Sequence, residues 1–463
     1  MTDCNSNLAL SFFDKKNLVT NFGGGTISSD GGLLIFAELD RKVRLCEAIA
    51  SQINDRRDER YVTHTMLDLI RQRVYQIIAG YEDCNDATTM RRDPILKLSC
   101  DRKPKTDVDL ASQPTLSRLE TGRSARELNR IGWELVHCFT RRYPQAPTEI
   151  ILEFDSSDDP VHGQQEFAAF NAYYDHRIYH PLLIGEGNSG HLITALLRPG
   201  TAHASRGACG ILKRLVKHLR KVWPDVKIYL RADAGFAMPE LYELCEELGI
   251  IYYIGLITNN RLVKLNAANL DKAWGEYHEK RQEELAQAKE ADKKPESKIK
   301  IRRVHEFFYQ ADSWSHKRRV IAKSETSSKG GNQRFVVTNG ELGPEAGYHF
   351  YAGRGDFENR IKEFKLDIKA DRLSCTEFIG NQFRLFLHLA AYNLYQIAQP
   401  LLDGTELVKA QVGRVRNKVV KVGALVSEST RRVVVALSSS YPHQSLWHRL
   451  LIEIKRMPQL STA

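Results

Sequence analysis

From residue 148 onward, short apolar runs alternate with stretches of helical spacing. Residues 148–155 (TEIILEFD) are too short a run for a helix and predict a buried strand closed by Asp155. Residues 177–185 and 191–198 predict two more strands, joined by the turn-prone Gly187-Asn188-Ser189-Gly190. A helix fits 207–222 and is stopped by Pro224. Residues 227–233 (KIYLRAD) predict a fourth strand, again closed by an acid, Asp233. Helical spacing returns over 238–248, and 250–256 (IIYYIGL) predict a fifth strand.

Three consecutive strands followed by helix, strand, helix, strand imply a mixed sheet with helices on its faces. The expected class is therefore α/β, with an RNase H-like core in which the first and fourth strands end side by side. Residues 1–145 read as a mainly helical N-terminal domain. Leu67, Ile70, Val74, Ile77 and Ile78 repeat at helical spacing, and a second helix fits 124–142. Ser112 and Pro114 offer a helix start. The run Phe22-Gly23-Gly24-Gly25 lacks the Gly-Lys-Ser/Thr ending of a phosphate loop and reads as a tight turn. The first part of the core spans 146–258. Residues 259–347 depart from it as a basic, partly β insertion, with a charged helix over 271–290 and strands near 299–313, 318–324 and 334–338. A second part of the core spans 348–400 and includes an amphipathic helix over 381–398. Residues 401–463 form a basic C-terminal region.

Charge changes the picture more than composition does. The formal net charge is +10, but 293–334 holds 12 basic residues against 4 acidic ones, and 409–432 holds 7 against 1. The remainder is slightly acidic, so the excess is concentrated, as in a polyanion footprint. No apolar run reaches the roughly 20 residues needed to cross a bilayer. The N-terminus carries Asp3 and Asp14 and lacks a signal-peptide profile, so a cytoplasmic protein with no membrane partner is expected. Eight scattered cysteines without a C-x-x-C pair argue against zinc knuckles and disulfide frameworks, which leaves oxygen ligands for any metal.

Two acids closing strands that this topology makes adjacent can together hold a hard divalent cation through oxygen. Asp158 and Asp159 follow Asp155 closely enough to stand as alternatives to it. A third acid comes from residues 351–365. With helix from Gly355, Glu358 and Lys365 lie two turns apart on one face, with Arg354 one turn before Glu358. Phe357, Ile361, Phe364 and Ile368 give an apolar stripe on a neighbouring face, so the helix can pack on the sheet while presenting Glu358 to the two aspartates. Three carboxylates suit two-metal phosphoryl transfer, and Arg354 and Lys365 can hold nearby phosphates.

The spacing Tyr351-x2-Arg354-x3-Glu358-x6-Lys365 resembles the Tyr-Arg-Glu-Lys signature of bacterial insertion-sequence transposases of the DDE type. Phe22-Gly-Gly-Gly, the run Asp155-Ser-Ser-Asp-Asp-Pro-Val-His-Gly and Arg431-Arg432-Val-Val-Val resemble insertion-sequence family thirteen-eighty. The resemblance covers nearly the whole chain. It implies Mg²⁺-dependent cut-and-paste transposition with two ions, for which Mn²⁺ can substitute, through end cleavage, a hairpin intermediate and strand transfer. By position, Asp155, Asp233 and Glu358 would be the catalytic metal ligands, and Tyr351, Arg354 and Lys365 would contact DNA phosphates. Hairpin-forming relatives stack a flipped base on an aromatic ring in the insertion; Trp314 is the candidate, with core packing as its alternative role. His162 is a weaker candidate for a ligand or proton shuttle.

The implied partners are double-stranded DNA, as terminal inverted repeats and as target, and a second copy of the chain in the DNA complex. The N-terminal domain would bind DNA, and the C-terminal region would bind DNA or dimerise. Two other functions share these residues: an RNase H-like nuclease that cuts without joining, and a DNA-binding regulator that has lost catalysis.

Overall fold

The computed structural model describes residues 7–13, 15–290 and 299–460. Asp3, Cys4 and Asp14, and the lysines at 293, 294 and 298, lie outside the described residues. The chain divides into two compact units, one of residues 1–138 with 363–463 and the other of residues 139–362.

The second unit is built on an eight-stranded mixed sheet. Its strands are β1 (Glu149–Ser156), β2 (Leu182–Glu186), β3 (Leu192–Leu196), β4 (Lys227–Ala232), β5 (Ile251–Leu256), β6 (Lys300–Tyr309), β7 (Arg318–Ser327) and β8 (Gly330–Thr338). In space they run β6-β7-β8-β5-β4-β1-β2-β3. β4 pairs in parallel with both β1 and β5, while β2 and β3 continue as an antiparallel meander. The first five strands are thus ordered 3-2-1-4-5, consistent with an RNase H-like core. β6, β7 and β8 extend the sheet beyond β5, all antiparallel.

The central strands are buried on both faces, as strands covered by helices must be. On one face Phe154 meets Phe236 edge-on with ring centroids 6.2 Å apart. Helices α1 (Ala208–Val222), α2 (Pro239–Glu247) and α3 (Ala267–Glu290) follow β3, β4 and β5 in the chain. On the other face α4 (Pro344–Ala352) lays Phe350 against Tyr229 and Tyr253, at 5.3 and 4.9 Å between ring centroids. The chain then turns at Gly353 into α5 (Arg354–Leu366).

The strand expected over 177–185 is broken in two. His176–Tyr179 joins a small sheet with Asp159–Pro160 and Ala169–Asn171, and β2 begins only at Leu182. Pro181 stands at the break, where it has no N–H to donate and biases the residue before it. His180 instead donates its backbone N–H to the Arg198 carbonyl.

The first unit is mainly helical, with helices that include Leu33–Val43, Met66–Ala79, Gln113–Thr121 and Ala125–Arg141. Ser112 takes the N-cap position before Gln113, but its side chain makes no capping bond. The helix expected to be amphipathic over 381–398 is Phe378–Ala398, and it is buried all round from Gly380 on. Its polar residues are tolerated because they are paired. Arg384 and Arg73, both buried, share the carboxylate of Glu120 at 3.6 and 2.9 Å, and Asn381 exchanges two hydrogen bonds with the backbone of Cys375. Among the described residues, no helix is long and apolar enough to cross a membrane, and the described cysteines are free.

One close approach sets the seat of α5. A Cβ added to Gly185 on β2 would stand 2.1 Å from Cε2 of Phe357. Gly185→Ala should therefore cost about 1–3 kcal/mol in chemical denaturation through overpacking. Phe357→Leu added to it should recover part of that loss; strictly additive losses would contradict the contact.

Candidate active site

Asp155 occupies the penultimate position of β1, and Asp233 directly follows the last residue of β4. The two strands are parallel, with Phe154 opposite Ala232, so the next step along both brings the aspartates abreast. Alternation puts Glu153 and Asp155 on one face of β1, and Arg231 and Asp233 on the matching face of β4. Asp233 bends the chain out of the strand by accepting a hydrogen bond from the Gly235 N–H at 2.9 Å.

Glu358 enters from α5, one turn after Arg354, and the Arg354 guanidinium touches all three acids. Its Nη2 donates to Oδ2 of Asp155 at 2.9 Å and lies 3.9 Å from Oδ2 of Asp233. Its Nη1 donates to Oε1 of Glu358 at 2.5 Å. Three carboxylates far apart in the chain therefore share one cation. Asp155 is the most enclosed of them, and burial pushes its pKa up to about 7, against the pull of Arg354 and with help from Asp233 and Glu358. Burial works against the charge on Arg354, but Asp155, Tyr351, Asp233 and Glu358 outweigh it and raise its pKa.

Tyr351, at the end of α4, completes the cluster. A Cβ on Gly255 of β5 would come within 2.6 Å of its hydroxyl, so that glycine makes room for the ring. Burial pushes the Tyr351 phenol up to about 12, with Arg354 pulling it down and Asp233 pushing it up. Beneath the acids lies a second charge pair that the sequence reading missed. Arg231 forks onto the buried Glu153, with Nε at 2.7 Å from Oε1, and donates from Nη1 to the Phe350 carbonyl at 2.7 Å. One arginine thus ties β4 to β1 and to the last turn of α4, just before the bend that aims α5. The signal was available: Glu153 and Arg231 each sit two residues before an acid in a strand otherwise apolar on both sides.

The remaining sequence candidates are placed as follows. Lys365 is half-buried on the last turn of α5, beyond Lys362, where the unit boundary falls. Trp314 is 6% exposed, its ring set edge-on to Tyr242 and Tyr309 with Arg318 over it. Asp158 pairs with His176 at 3.3 Å, and Asp159 lies buried in the small sheet; the guanidinium of Arg354 goes to Asp155 instead. His162 is exposed. Much of the basic stretch of 300–334 is neutralised internally. Lys300, Arg302 and Lys323 all surround Glu325, Arg318 pairs with Glu246, Arg319 with Glu306, and Arg303 with Glu276. Burial alone would raise the Glu325 carboxyl, but Lys300 and Lys323 bring it down to about 2.

Residues 10–459 match the family described as Transposase DDE domain group 1. The chain belongs to this DDE transposase family. No curated protein matches it. Among solved structures it is similar to a piggyBac transposase in a synaptic complex with hairpin DNA, at 12% identity over 94% of this chain and 83% of that one, with a TM-score of 0.41.

The transposase's three acids offer the hard oxygen donors that a divalent cation needs. Among the described residues, no three acid, histidine or cysteine side chains are set as a metal cage. Carboxylates this close repel unless a positive charge stands among them, and here the guanidinium of Arg354 supplies it. All three acids turn carboxylate oxygens to one guanidinium, and oxygen is the donor chemistry that a divalent cation in its place would take. Arg354→Ala should destabilise the protein in EDTA by about 2–3 kcal/mol, below the usual loss for a broken buried pair because Asp233 and Glu358 are partly solvated. Mg²⁺ should then raise the Tm of the variant more than that of the parent. Equal stability in EDTA would contradict the shared-cation account.

Proposed function

We propose that this transposase mobilises a bacterial insertion sequence of the Tyr-Arg-Glu-Lys type by Mg²⁺-dependent cut-and-paste transposition. The observation that carries the reading is the single guanidinium shared by Asp155, Asp233 and Glu358. It gives three acids from separate elements one common centre of charge. Those acids would hold two divalent ions, which when bound lower the pKa of an attacking hydroxyl and neutralise the leaving oxygen.

The chain's own residues supply positioning. Asp155 and Asp233 are fixed by paired strands, and Glu358 by a helix seated on Gly185 and anchored through Arg231. Once cations take the acids, Arg354 is free to hold a phosphate oxygen, in keeping with the fork geometry of arginine. Tyr351 and Lys365 would contact phosphates on either side. In the reaction, water attacks phosphorus at the element end and the 3′-oxygen leaves as a hydroxyl. That hydroxyl attacks phosphorus in the opposite strand and displaces the 3′-oxygen of the flanking DNA, giving a hairpin; water reopens it, and the freed 3′-hydroxyl then attacks target phosphorus and displaces a target 3′-oxygen. Terminal inverted repeats and target duplex are the DNA partners, and two copies of the chain would act together, one for each end. The synaptic hairpin-DNA complex described for the similar structure belongs to that protein.

Glu358→Gln tests the assignment, because a neutral amide cannot replace a carboxylate as a metal ligand. Cleavage of labelled element ends should fall by several orders of magnitude while binding to the same DNA stays within about twofold, a change of under 0.5 kcal/mol. Loss of binding in step with cleavage would count against the role. With the parent protein and a supercoiled target, joined product is expected; cleavage without joining would make it a nuclease instead.

A further inference from the structure

The most regular row of unpaired cations lies in neither of the basic stretches defined by charge density. In the C-terminal stretch, Lys418 and Arg414 reach Glu406, and Lys421 reaches Asp30. Much of the 300–334 stretch is paired as described above. By contrast, no Asp or Glu occurs from Gly187 to Pro224, a window that holds seven Lys or Arg. α1 lies in it. Leu212, Leu215, Val216 and Leu219 bury one face of this helix. Lys213, Arg214, Lys217 and Lys221 project from the opposite side and are exposed. Lys213, Lys217 and Lys221 recur at intervals of four, so they form a row along the helix, with Arg214 beside it. None of these four makes an ion pair with a described carboxylate, nor does Arg206 just ahead of the helix. Arg214 bonds only the backbone of its own helix, Nε to the Gly210 carbonyl at 3.1 Å.

The loop that leads into α1 lies beside the acids. Arg198, buried, donates to the carbonyls of Ala204 and Arg206 at 2.6 and 3.0 Å and to the Ser156 hydroxyl at 2.8 Å. Ser156 follows Asp155 directly. Ala204 also lies against Gly235, where an added Cβ would meet it at 2.7 Å, two residues past Asp233. The loop leading into α1 is therefore clamped to both strand ends that carry the aspartates. From there the helix runs for 15 residues, roughly 22 Å, about the axial length of six base pairs.

We propose that the outer face of α1 docks the phosphate backbone of duplex DNA leading away from the cleaved bond. This rests on the transposase reading and names a DNA-binding surface for it. The occupant follows from charge complementarity: a row of cations with no described carboxylate partner, on a helix whose leading loop is clamped to the strand ends that carry Asp155 and Asp233. A side chain that meets phosphates alone reads no bases, so the docking is independent of sequence. The duplex is the element's own end, because the loop ahead of the helix is clamped to the strand ends whose acids would cut there.

The test is a variant with Lys213, Arg214, Lys217 and Lys221 all changed to Gln, compared with Arg302→Gln, which removes a paired cation of the other stretch. All these positions are exposed, and circular dichroism and Tm verify that each variant folds. Binding is measured in EDTA against salt, on an end-bearing duplex and on a plain duplex of equal length, so catalysis does not enter. Each phosphate that the protein no longer neutralises lowers the slope of log K against log salt by about 0.9, so the fourfold variant should lose roughly 3 to 4 and Arg302→Gln almost nothing. The loss should appear on both duplexes, because docking to phosphates does not depend on sequence, and in Mg²⁺ the fourfold variant should cut element ends more slowly at subsaturating protein. Unchanged end cleavage with weaker joining to a supercoiled target would place the target there instead and overturn the proposal. An unchanged slope on both DNAs, or an equal loss from Arg302→Gln alone, overturns the proposal. Failure of the transposase reading would show separately, as cleavage that survives Glu358→Gln.

Discussion

Carboxylates crowded at one end of a sheet repel one another, and this fold resolves the repulsion with the guanidinium of Arg354. Asp155 is nearly excluded from water and Asp233 and Glu358 are only partly solvated, so the charge among them must be answered locally. An arginine serves because it keeps its proton and offers several donors in one plane. On the function proposed above, divalent cations bound through the carboxylate oxygens would answer the same charge and release the arginine.

The rest of the second unit can be understood as scaffolding for that cluster. Parallel pairing of β1 with β4 sets the aspartates abreast, and the Arg231–Glu153 pair locks the two strands one step below. Arg231 also holds the Phe350 carbonyl, so the turn from α4 into α5 is referred to the strand that carries Asp233. Gly185 and Gly255 admit Phe357 and Tyr351 at distances no other residue would allow. Each contact is ordinary. Together they leave Glu358 little freedom to stand elsewhere.

Much of this was legible in the chain, because the strands are local apolar runs and the acids end them. The order of elements was enough to expect β1 and β4 side by side, and the stripe of Phe357, Ile361, Phe364 and Ile368, all buried, announced the packed face of α5. Other features depend on partners distant in sequence. Whether Phe378–Ala398 is amphipathic or fully buried turns on Glu120, which no window around the helix contains. How far the basic stretch of 300–334 is neutralised depends likewise on distant partners, since Glu246 and Glu276, which pair with two of its arginines, lie outside it. The acid-free window around α1 was readable from composition, but only by counting missing acids instead of clustered bases. The break at Pro181 was marked by the proline itself.

On the proposed function, Asp155, Asp233 and Glu358 form one cation-binding centre, and local hydroxyl-radical cleavage can read this out: Fe²⁺ is substituted for Mg²⁺, ascorbate and peroxide are added, and the backbone cuts are mapped by mass spectrometry. Cuts should cluster near residues 155, 233 and 358 together, fade with added Mg²⁺, and disappear in Glu358→Gln. Cuts near only one of the three, or a pattern indifferent to Mg²⁺, would contradict a shared site.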